Sequence, residues 1–319
     1  MYKALSTKFN SVFGIPGGVI KLLLAIDALR PSEEVLAGAT LRPWPSTTSA
    51  RVVTAIEDAA IPEKLWRDAE GRIESVRQAM MRLAEDVTGH VVEQLKESGV
   101  AAEAVIKIDD PRFVIVREAE SWSADLIFIR AHTYTDFNRW LLGSVANAVL
   151  RDGPCSVEIV RTTVSDAKRS ALNGMKILIA IDGSESSRSA AHAIASRPWS
   201  RGTQVKVISV VEPFVYLIKK DNLLAEGGSE VDTLRAAIKE AEDVIGSAGL
   251  NVTSEVMKGH AKEEIINAAK AWASDLVVVG SHGRRGIKRV LLGSVSEAVA
   301  RHAPCSVEVI RSASATIRV

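Results

Sequence analysis

The stretch that decides the fold runs from Asp275 to Arg311 and reads DLVVVGSHGRRGIKRVLLGSVSEAVARHAPCSVEVIR. It opens with the apolar run LVVV, bounded by Gly280, which predicts a buried parallel strand. Gly283 follows, and after nine intervening residues Gly293 and Ser294 open a helical pattern that leads to a second apolar strand. Ligands bind at the carboxyl ends of strands in open α/β sheets, and a helix start offers free N–H groups. The stretch therefore predicts an anion site.

The same pattern occurs 150 residues earlier, from Asp125 to Arg161, as DLIFIRAHTYTDFNRWLLGSVANAVLRDGPCSVEIVR. The two stretches align without a gap and share the strings LLGSV and PCSVE. A match of this length indicates an internal duplication and therefore two copies of one fold. The copies differ where a ligand would bind: Arg130 replaces Gly280, Thr133 replaces Gly283, and Ala146 replaces Ser296.

Length and composition limit the class of protein. A chain of 319 residues allows about two domains, each long enough to bury a core. The net charge of +1 gives no general electrostatic reason to bind nucleic acid. No apolar run is long enough to span a bilayer, and no secretory signal is evident. Cys155 and Cys305 occupy the same place in each copy and are expected to be buried thiols in a reducing compartment. We therefore expect a cytoplasmic protein.

Apolar runs and amphipathic stretches alternate in each half in the order β-α-β-α-β-α-β-α-β. Outside the repeated stretches, the expected strands are Val19–Ile26, Arg51–Ile56, Ala101–Ile108, Met175–Ile181, Gln204–Val211 and Asn251–Met257. The expected helices include Ala69–Ser98, Pro111–Trp122, Glu230–Ala248 and Ala261–Trp272. This alternation predicts two tandem Rossmann-like α/β domains, each a five-stranded parallel sheet with helices on both faces.

The expected domains are residues 1–161, with an irregular lead-in at 1–18, and residues 174–311. A polar linker at 162–173 joins them, and a tail at 312–319 follows.

The second half combines a carboxylate with the glycine loop. Asp182 ends its first strand, so it is expected to face Gly280 and Gly283 across one crevice. Glycines let the backbone approach a phosphate closely, and the amides and hydroxyls of Ser294 to Ser296 add donors. These features suit a polyphosphate. A carboxylate repels phosphate, so Asp182 would bind a ribose hydroxyl or an adenine amine, or would instead cap the following helix.

The spacing of glycine, two residues, glycine, nine residues, glycine and serine resembles the ATP-binding pattern of the universal stress protein family. The resemblance covers roughly residues 19–161 and 174–311 and matches the tandem form of that family. It implies an adenine-nucleotide α hydrolase-like fold that binds ATP, often with Mg²⁺ or Mn²⁺. Carried over by position, Asp182 and the backbone of Ala180 and Val210 would meet adenosine. The phosphates would meet Gly280, Ser281, His282, Gly283, Gly293, Ser294, Val295 and Ser296. Arg284, the first residue of the loop that follows Gly283, completes the set of twelve candidate site residues.

Two parts of this pattern leave alternatives open. In the first half, Arg130 and Thr133 bring side chains to where backbone should touch phosphate, and a β-carbon disfavours the positive φ expected of the glycines. That half is expected to be a degenerate site, or one in which Arg130 binds a different anion. In the second half, the basic loop Arg284, Arg285, Lys288 and Arg289 is either a solvated charge run or screens the phosphates.

Several function classes fit the sequence. The first is a regulatory stress-response protein whose second half holds ATP. The alternatives are a weak ATPase or phosphotransferase, for which no G-x-x-x-x-G-K-[ST] loop is present, and a ligand-free interaction scaffold. A flavoprotein-like relative would share the sheet, but no flavin-specific pattern is present. The family resemblance implies that the last strands pair, so we expect the halves to form a pseudo-dimer within the chain, with further homodimerisation open.

Overall fold

The computed structural model describes residues 20–30, 33–57, 70–133, 140–161, 163–212, 227–283 and 292–312. The lead-in at 1–18, the basic loop with Arg284, Arg285, Lys288 and Arg289, and residues 313–319 of the tail lie outside these ranges.

The first half alternates strands and helices as expected. Its strands are β1 (Lys21–Ile26), β2 (Ser49–Ile56), β3 (Ala101–Ile108), β4 (Leu126–Arg130), β5 (His132–Thr133), β6 (Trp140–Leu141) and β7 (Ser156–Val160). Its helices are α1 (Glu33–Thr40), α2 (Glu70–Glu97), α3 (Pro111–Trp122) and α4 (Ser144–Asp152). The short antiparallel pair of β5 and β6 was not expected from the sequence.

The second half repeats the same order after a connecting helix, α5 (Val164–Asn173), which the sequence suggested only as a polar linker. Its strands are β8 (Lys176–Ala180), β9 (Gln204–Val211), β10 (Asn251–Lys258), β11 (Leu276–Gly280) and β12 (Ser306–Ile310). Its helices are α6 (Glu185–Ser196), α7 (Gly227–Ser247), α8 (Ala261–Ala271) and α9 (Ser294–His302). None of the helices within the described ranges has the length and apolarity to cross a membrane.

Local sequence explains where the elements begin and end. Strands β8 and β11 are short apolar runs whose central residues are buried, as is typical of a parallel sheet covered on both faces. Helix α3 begins at Pro111, and the Asp110 side chain accepts a hydrogen bond from the amide of Arg112. Gly99 and Gly249 follow α2 and α7 with φ of 86° and 79°, the left-handed conformation in which glycine ends helices.

Each half contributes five parallel strands, in the orders β3-β2-β1-β4-β7 and β10-β9-β8-β11-β12. In the second half β8 lies between β9 and β11, so the order of connection reverses on either side of β8. Loops that leave β8, β9 and β11 therefore diverge at their carboxyl ends and leave a crevice there. The predicted fold class is confirmed.

The two sheets join edge to edge into one ten-stranded sheet. Strands β7 and β12 run antiparallel, and Val157 pairs with Val309, Glu158 with Glu308, and Ile159 with Val307. Apolar side chains of both halves, including Ile127 and Val277, belong to one buried cluster that continues across this junction. The pairing of the last strands within one chain agrees with the sequence expectation.

The junction also buries charges that the sequence analysis missed. Arg197, which follows α6, donates two hydrogen bonds to the Glu308 carboxylate at 2.6 and 2.7 Å, and both side chains are at most 3% exposed. Arg42 binds Glu158 in the same bidentate way in the first half. Because Glu158 and Glu308 are paired residues of β7 and β12, the two ion pairs lie side by side in the middle of the ten-stranded sheet.

The two cysteines are free thiols; Cys305 is buried as expected, whereas Cys155 is only partly buried. Burial raises the pKa of both Cys155 and Cys305 to about 12. At pH 8 only about one thiol in ten thousand would be ionised, and the thiolate is the reactive form.

We therefore expect iodoacetamide to label the folded protein at least about a thousandfold more slowly than the urea-unfolded protein. Mass spectrometry against time measures this, and equal labelling rates would contradict the raised pKa of the two thiols.

Candidate functional site

A cleft of about 400 Å³ opens at the carboxyl ends of β8, β9 and β11, beside the start of α9. Its walls include the predicted residues Ala180, Asp182, Val210, Gly280, His282, Gly283, Gly293, Ser294, Val295 and Ser296. Its volume lies within the ordinary range for small-molecule sites, roughly 300 to 1,000 Å³. The fold thus brings together ten of the twelve residues that sequence analysis selected.

The other two selected residues, Ser281 and Arg284, are not among the residues that line the cleft. Arg284 lies outside the described residues. Ser281 is 1% exposed and does not line the cleft, because its backbone and side chain serve the fold. Its amide donates to the Ile310 carbonyl, its carbonyl accepts from the Gly293 amide, both at 2.8 Å, and its hydroxyl bonds His282 Nδ1 at 2.9 Å. The expected phosphate contact of Ser281 is therefore corrected to a supporting role beneath the cleft.

Of the two roles that the sequence left open for Asp182, the structure excludes the helix cap, because Ser184 caps α6. Asp182 Oδ1 accepts a hydrogen bond from the amide of Ser184 at 2.9 Å, which shapes the turn before α6. The helix cap itself is Ser184, whose hydroxyl accepts from the Ser187 amide at 3.2 Å. The other carboxylate oxygen of Asp182, Oδ2, lies 3.0 Å from the position that a β-carbon on Gly283 would occupy. The carboxylate is thus held by the turn with one oxygen at the glycine loop.

Serines at the start of α6 hold the glycine loop in place. The hydroxyls of Ser184 and Ser186 both donate to the carbonyl of His282. The His282 amide in turn donates to Ser186 Oγ at 3.3 Å. These bonds join the loop after β11 to the helix after β8, which are the two walls of the cleft. Their contribution was not predicted, although the run Ser184-Glu185-Ser186-Ser187 directly after Asp182 is a signal that could have revealed it.

Packing within the protein favours glycine at all three positions and does so most strongly at Gly280. A β-carbon on Gly280 would lie 2.4 Å from Ser186 Oγ, and one on Gly293 would lie 3.1 Å from the Ser281 carbonyl. None of Gly280, Gly283 and Gly293 has a positive φ. The expectation of positive φ at these glycines is therefore wrong. What they supply is space for the loop to lie against α6 and Asp182.

The start of α9 presents backbone donors to the cleft. Gly293 is its N-cap and offers no side chain, and the first amide bonded within the helix is that of Glu297, which donates to the Gly293 carbonyl at 2.9 Å. The amides of Ser294, Val295 and Ser296 thus precede the helical hydrogen-bond pattern. The Ser296 hydroxyl, expected to be a further donor to a ligand, instead donates to the Gly280 carbonyl at 2.6 Å. That expectation is corrected, because the proton of this hydroxyl is already committed.

Further residues line the cleft without having been selected. They are Ile181, Ser184, Ser187, Ile208, Ser209, Glu212, Ala261, Ile265 and Val279. Most are apolar or small, and they come from the ends of β8, β9 and β11 and from the starts of α6 and α8. Their position at strand ends is a signal in the sequence, but only the sheet order shows that these particular ends meet.

The first half has a narrower cavity at the matching place, of about 260 Å³. Asp27 and Ala25 line it as Asp182 and Ala180 line the larger cleft. Arg130, in the position of Gly280, fills part of the space and forms an ion pair with Glu34 at 3.1 Å. Because Glu34 balances its charge, the alternative of an anion bound by Arg130 is weakened.

Among the described residues, no group of three or more His, Cys, Asp or Glu side chains is arranged to hold a metal ion. The cleft itself fits a nucleotide in its donor set: backbone amides suit phosphate oxygens, and a carboxylate suits hydroxyl donors.

Two α/β units with this strand order, joined edge to edge and carrying a glycine-loop cleft, define a tandem Rossmann-like protein. The universal stress protein family model matches residues 20–161 and 175–311, and the chain belongs to the universal stress protein family. A universal stress protein of Mycobacterium tuberculosis is 27% identical over 259 residues, which cover 77% of this chain and 79% of the relative.

Two further comparisons agree with this family and fold. A universal stress protein of Methanocaldococcus jannaschii is 33% identical over 144 residues, covering 43% of this chain and 81% of the relative. The crystal structure of a universal stress protein from Archaeoglobus fulgidus superimposes with a TM-score of 0.62 at 21% identity, covering 91% of this chain and 98% of that one. At that identity the superposition supports the fold alone.

Proposed function

We propose that the second half binds ATP and that its occupancy regulates the conformation or the partners of this stress-response protein. The supporting observation is the cleft in which a turn-held carboxylate, Asp182, lies beside the glycine loop and the uncapped start of α9. A helix N-terminus favours an anion, while a carboxylate favours a hydroxyl donor. A ligand that offers hydroxyl donors next to an anionic group meets both preferences, and the ribose and phosphates of a nucleotide are joined in this way.

The proposed pose follows from the chemistry of each wall. The ribose hydroxyls donate to Asp182, and the base lies among the apolar groups near Ala180, Val210 and Ile265. The phosphates accept from the amides at the start of α9 and from the backbone around Gly283. Mg²⁺ or Mn²⁺ would arrive with the nucleotide, because these ions bind phosphate oxygens together with few protein groups.

The first test is whether the purified protein contains or binds an adenine nucleotide. Mass analysis of small molecules released on denaturation identifies a ligand carried through purification. Calorimetric titration of the folded, nucleotide-free protein with ATP, ADP, AMP and adenosine then ranks the contribution of each phosphate. We expect one site per chain, with affinity falling as phosphates are removed. Absence of heat with ATP, ADP and AMP at millimolar concentration would refute the proposal.

A charge-neutral substitution tests the ribose contact. Asp182→Asn keeps an oxygen for the turn before α6 and removes the carboxylate charge, so we expect the affinity for ATP to fall about tenfold, since hydrogen bonds to charged groups contribute about 1.5–3 kcal/mol. Asp27→Asn is the matched control, because Asp27 makes the same turn contact with Leu29 at 2.9 Å in the first half. Equal affinities in wild type and Asp182→Asn would contradict the contact.

The same proposal extends to location and assembly. Two free thiols suit a reducing compartment, and we propose that the protein works in the cytoplasm. The degenerate first half would act as the fixed partner in an intrachain pseudo-dimer, and further homodimerisation stays a prediction.

A further inference from the structure

An arginine of the first half holds the end of a helix in the second half. Arg161 directly follows β7, and its side chain is buried against α9. Its guanidinium donates to the carbonyl of Ala300 and, at 3.4 Å, to those of Arg301 and Cys305. Its backbone amide donates to the hydroxyl of Ser306 at 3.0 Å.

The second half makes the same contact in return. Arg311 follows β12, and its guanidinium donates to the carbonyls of Leu150 and Arg151, at 2.9 and 2.7 Å, in the last turn of α4. Its amide donates to the Ser156 hydroxyl at 3.3 Å. Each half therefore supplies a cation to the carboxyl end of its partner's final helix.

These contacts are suited to fixing a helix. The last carbonyls of a helix have no partners within it and carry partial negative charge, so a cation that donates to them satisfies and orients that end. Burial lowers the pKa of Arg161 to about 10, so its side chain remains charged at neutral pH. A buried guanidinium with several carbonyl acceptors cannot leave without exposing unpaired groups on both sides.

The two ends of α9 thus have different neighbours. Its first residues, Ser294, Val295 and Ser296, line the nucleotide cleft, whereas its last turn is held by Arg161. The helix has only nine residues and is about 13 Å long, so a shift at one end carries to the other. In the first half, Arg311 likewise holds the last turn of α4, and Val145 and Ala146 near the start of α4 line the smaller cavity.

We propose that Arg161 is a positioning residue for the nucleotide cleft: through α9, the first half sets where the phosphate-facing amides lie. This inference rests on the proposed binding of ATP by the second half. It gives the degenerate half a role that needs no ligand of its own, since that half holds the far end of α9.

Matched substitutions at the two arginines test this coupling. Arg161→Gln is expected to raise the Kd for ATP about fivefold or more, at the lower end of typical coupling between sites. Arg311→Gln removes the equivalent contact at α4 and is expected to change the Kd less than twofold. Arg161→Lys keeps the charge but loses the planar set of guanidinium donors. Its Kd for ATP is expected to lie between those of the wild type and Arg161→Gln.

Hydrogen exchange supplies a readout that needs no nucleotide. In the ligand-free protein, Arg161→Gln is expected to speed exchange of the amides of α9 after Glu297, and Arg311→Gln those of α4. If wild type binds ATP and the two glutamine variants change the Kd equally or not at all, the coupling is refuted while ATP binding stands. If wild type binds no ATP, the proposed function fails, and the coupling fails with it. If Arg161→Gln leaves the hydrogen-exchange rates of α9 unchanged, Arg161 does not stabilise the end of that helix.

Discussion

Alanine in place of Gly280 is expected to weaken ATP binding at least about tenfold, equal to about 1.4 kcal/mol, and to lower the free energy of unfolding by about 1–3 kcal/mol. Its β-carbon would lie 2.4 Å from Ser186 Oγ and 2.8 Å from both the Ser186 carbonyl carbon and the Ser187 amide nitrogen. These are backbone and near-backbone atoms in the first turn of α6, so the helix has to move away from β11. That movement breaks the bonds by which Ser184 and Ser186 hold the His282 carbonyl.

Gly246→Ala is the matched control for this substitution. Gly246 lies in α7 of the same half, and a β-carbon there would meet no atom within 4 Å. Alanine is the better helix former, so we expect an unchanged affinity for ATP and a gain of about 0.5–1 kcal/mol in the free energy of unfolding. Calorimetric titration and urea unfolding measure both quantities. Wild-type affinity in Gly280→Ala would show that the close packing of α6 on β11 does not shape the cleft.

Glutamine in place of Glu308 is expected to produce the largest loss of stability, about 3–5 kcal/mol, because it leaves a buried charge without its counter-ion. Arg197 is 3% exposed in its side chain and is bound by both oxygens of Glu308. The substitution keeps the volume and removes the charge. The neighbouring pair of Arg42 and Glu158 cannot take over, since both Glu158 oxygens already accept from Arg42.

Two further variants test whether the loss of stability in Glu308→Gln comes from the buried ion pair or would follow the removal of any charged side chain. Asp243→Asn breaks the exposed pair of Asp243 and Lys239 on α7 and is expected to leave the free energy of unfolding nearly unchanged. Replacing both partners, Arg197→Met with Glu308→Met, removes the uncompensated charge and is expected to recover much of the stability lost in Glu308→Gln. Urea unfolding gives the three values, and a loss in Glu308→Gln no larger than in Asp243→Asn would rule out a buried counter-ion role.

Much of the fold was predictable because it depends on local patterns. Parallel strands buried on both faces are continuous apolar runs, and most of the described helices end near a glycine or proline. The strands and helices predicted from the sequence therefore have ends within three residues of those observed. The helix in the linker was missed because Val164–Asn173 has a polar composition typical of a surface loop. The burial of Arg42 and Arg197 was missed because an arginine before Pro-Trp at the end of a helix is usually exposed. Only the contacts with Glu158 and Glu308, far away in the sequence, show that these arginines are buried.

The sequence by itself determined that the chain is a duplicated α/β protein and which strand ends carry the candidate site. Repeated spacing and hydrophobic periodicity are properties of neighbouring residues, and they can be read without coordinates. Only the tertiary structure decided what the glycines make room for, that the hydroxyls of Ser281 and Ser296 are committed to the protein, and that Arg161 reaches α9. These depend on contacts between residues far apart in the chain, whose distances are set only once the ten-stranded sheet has formed.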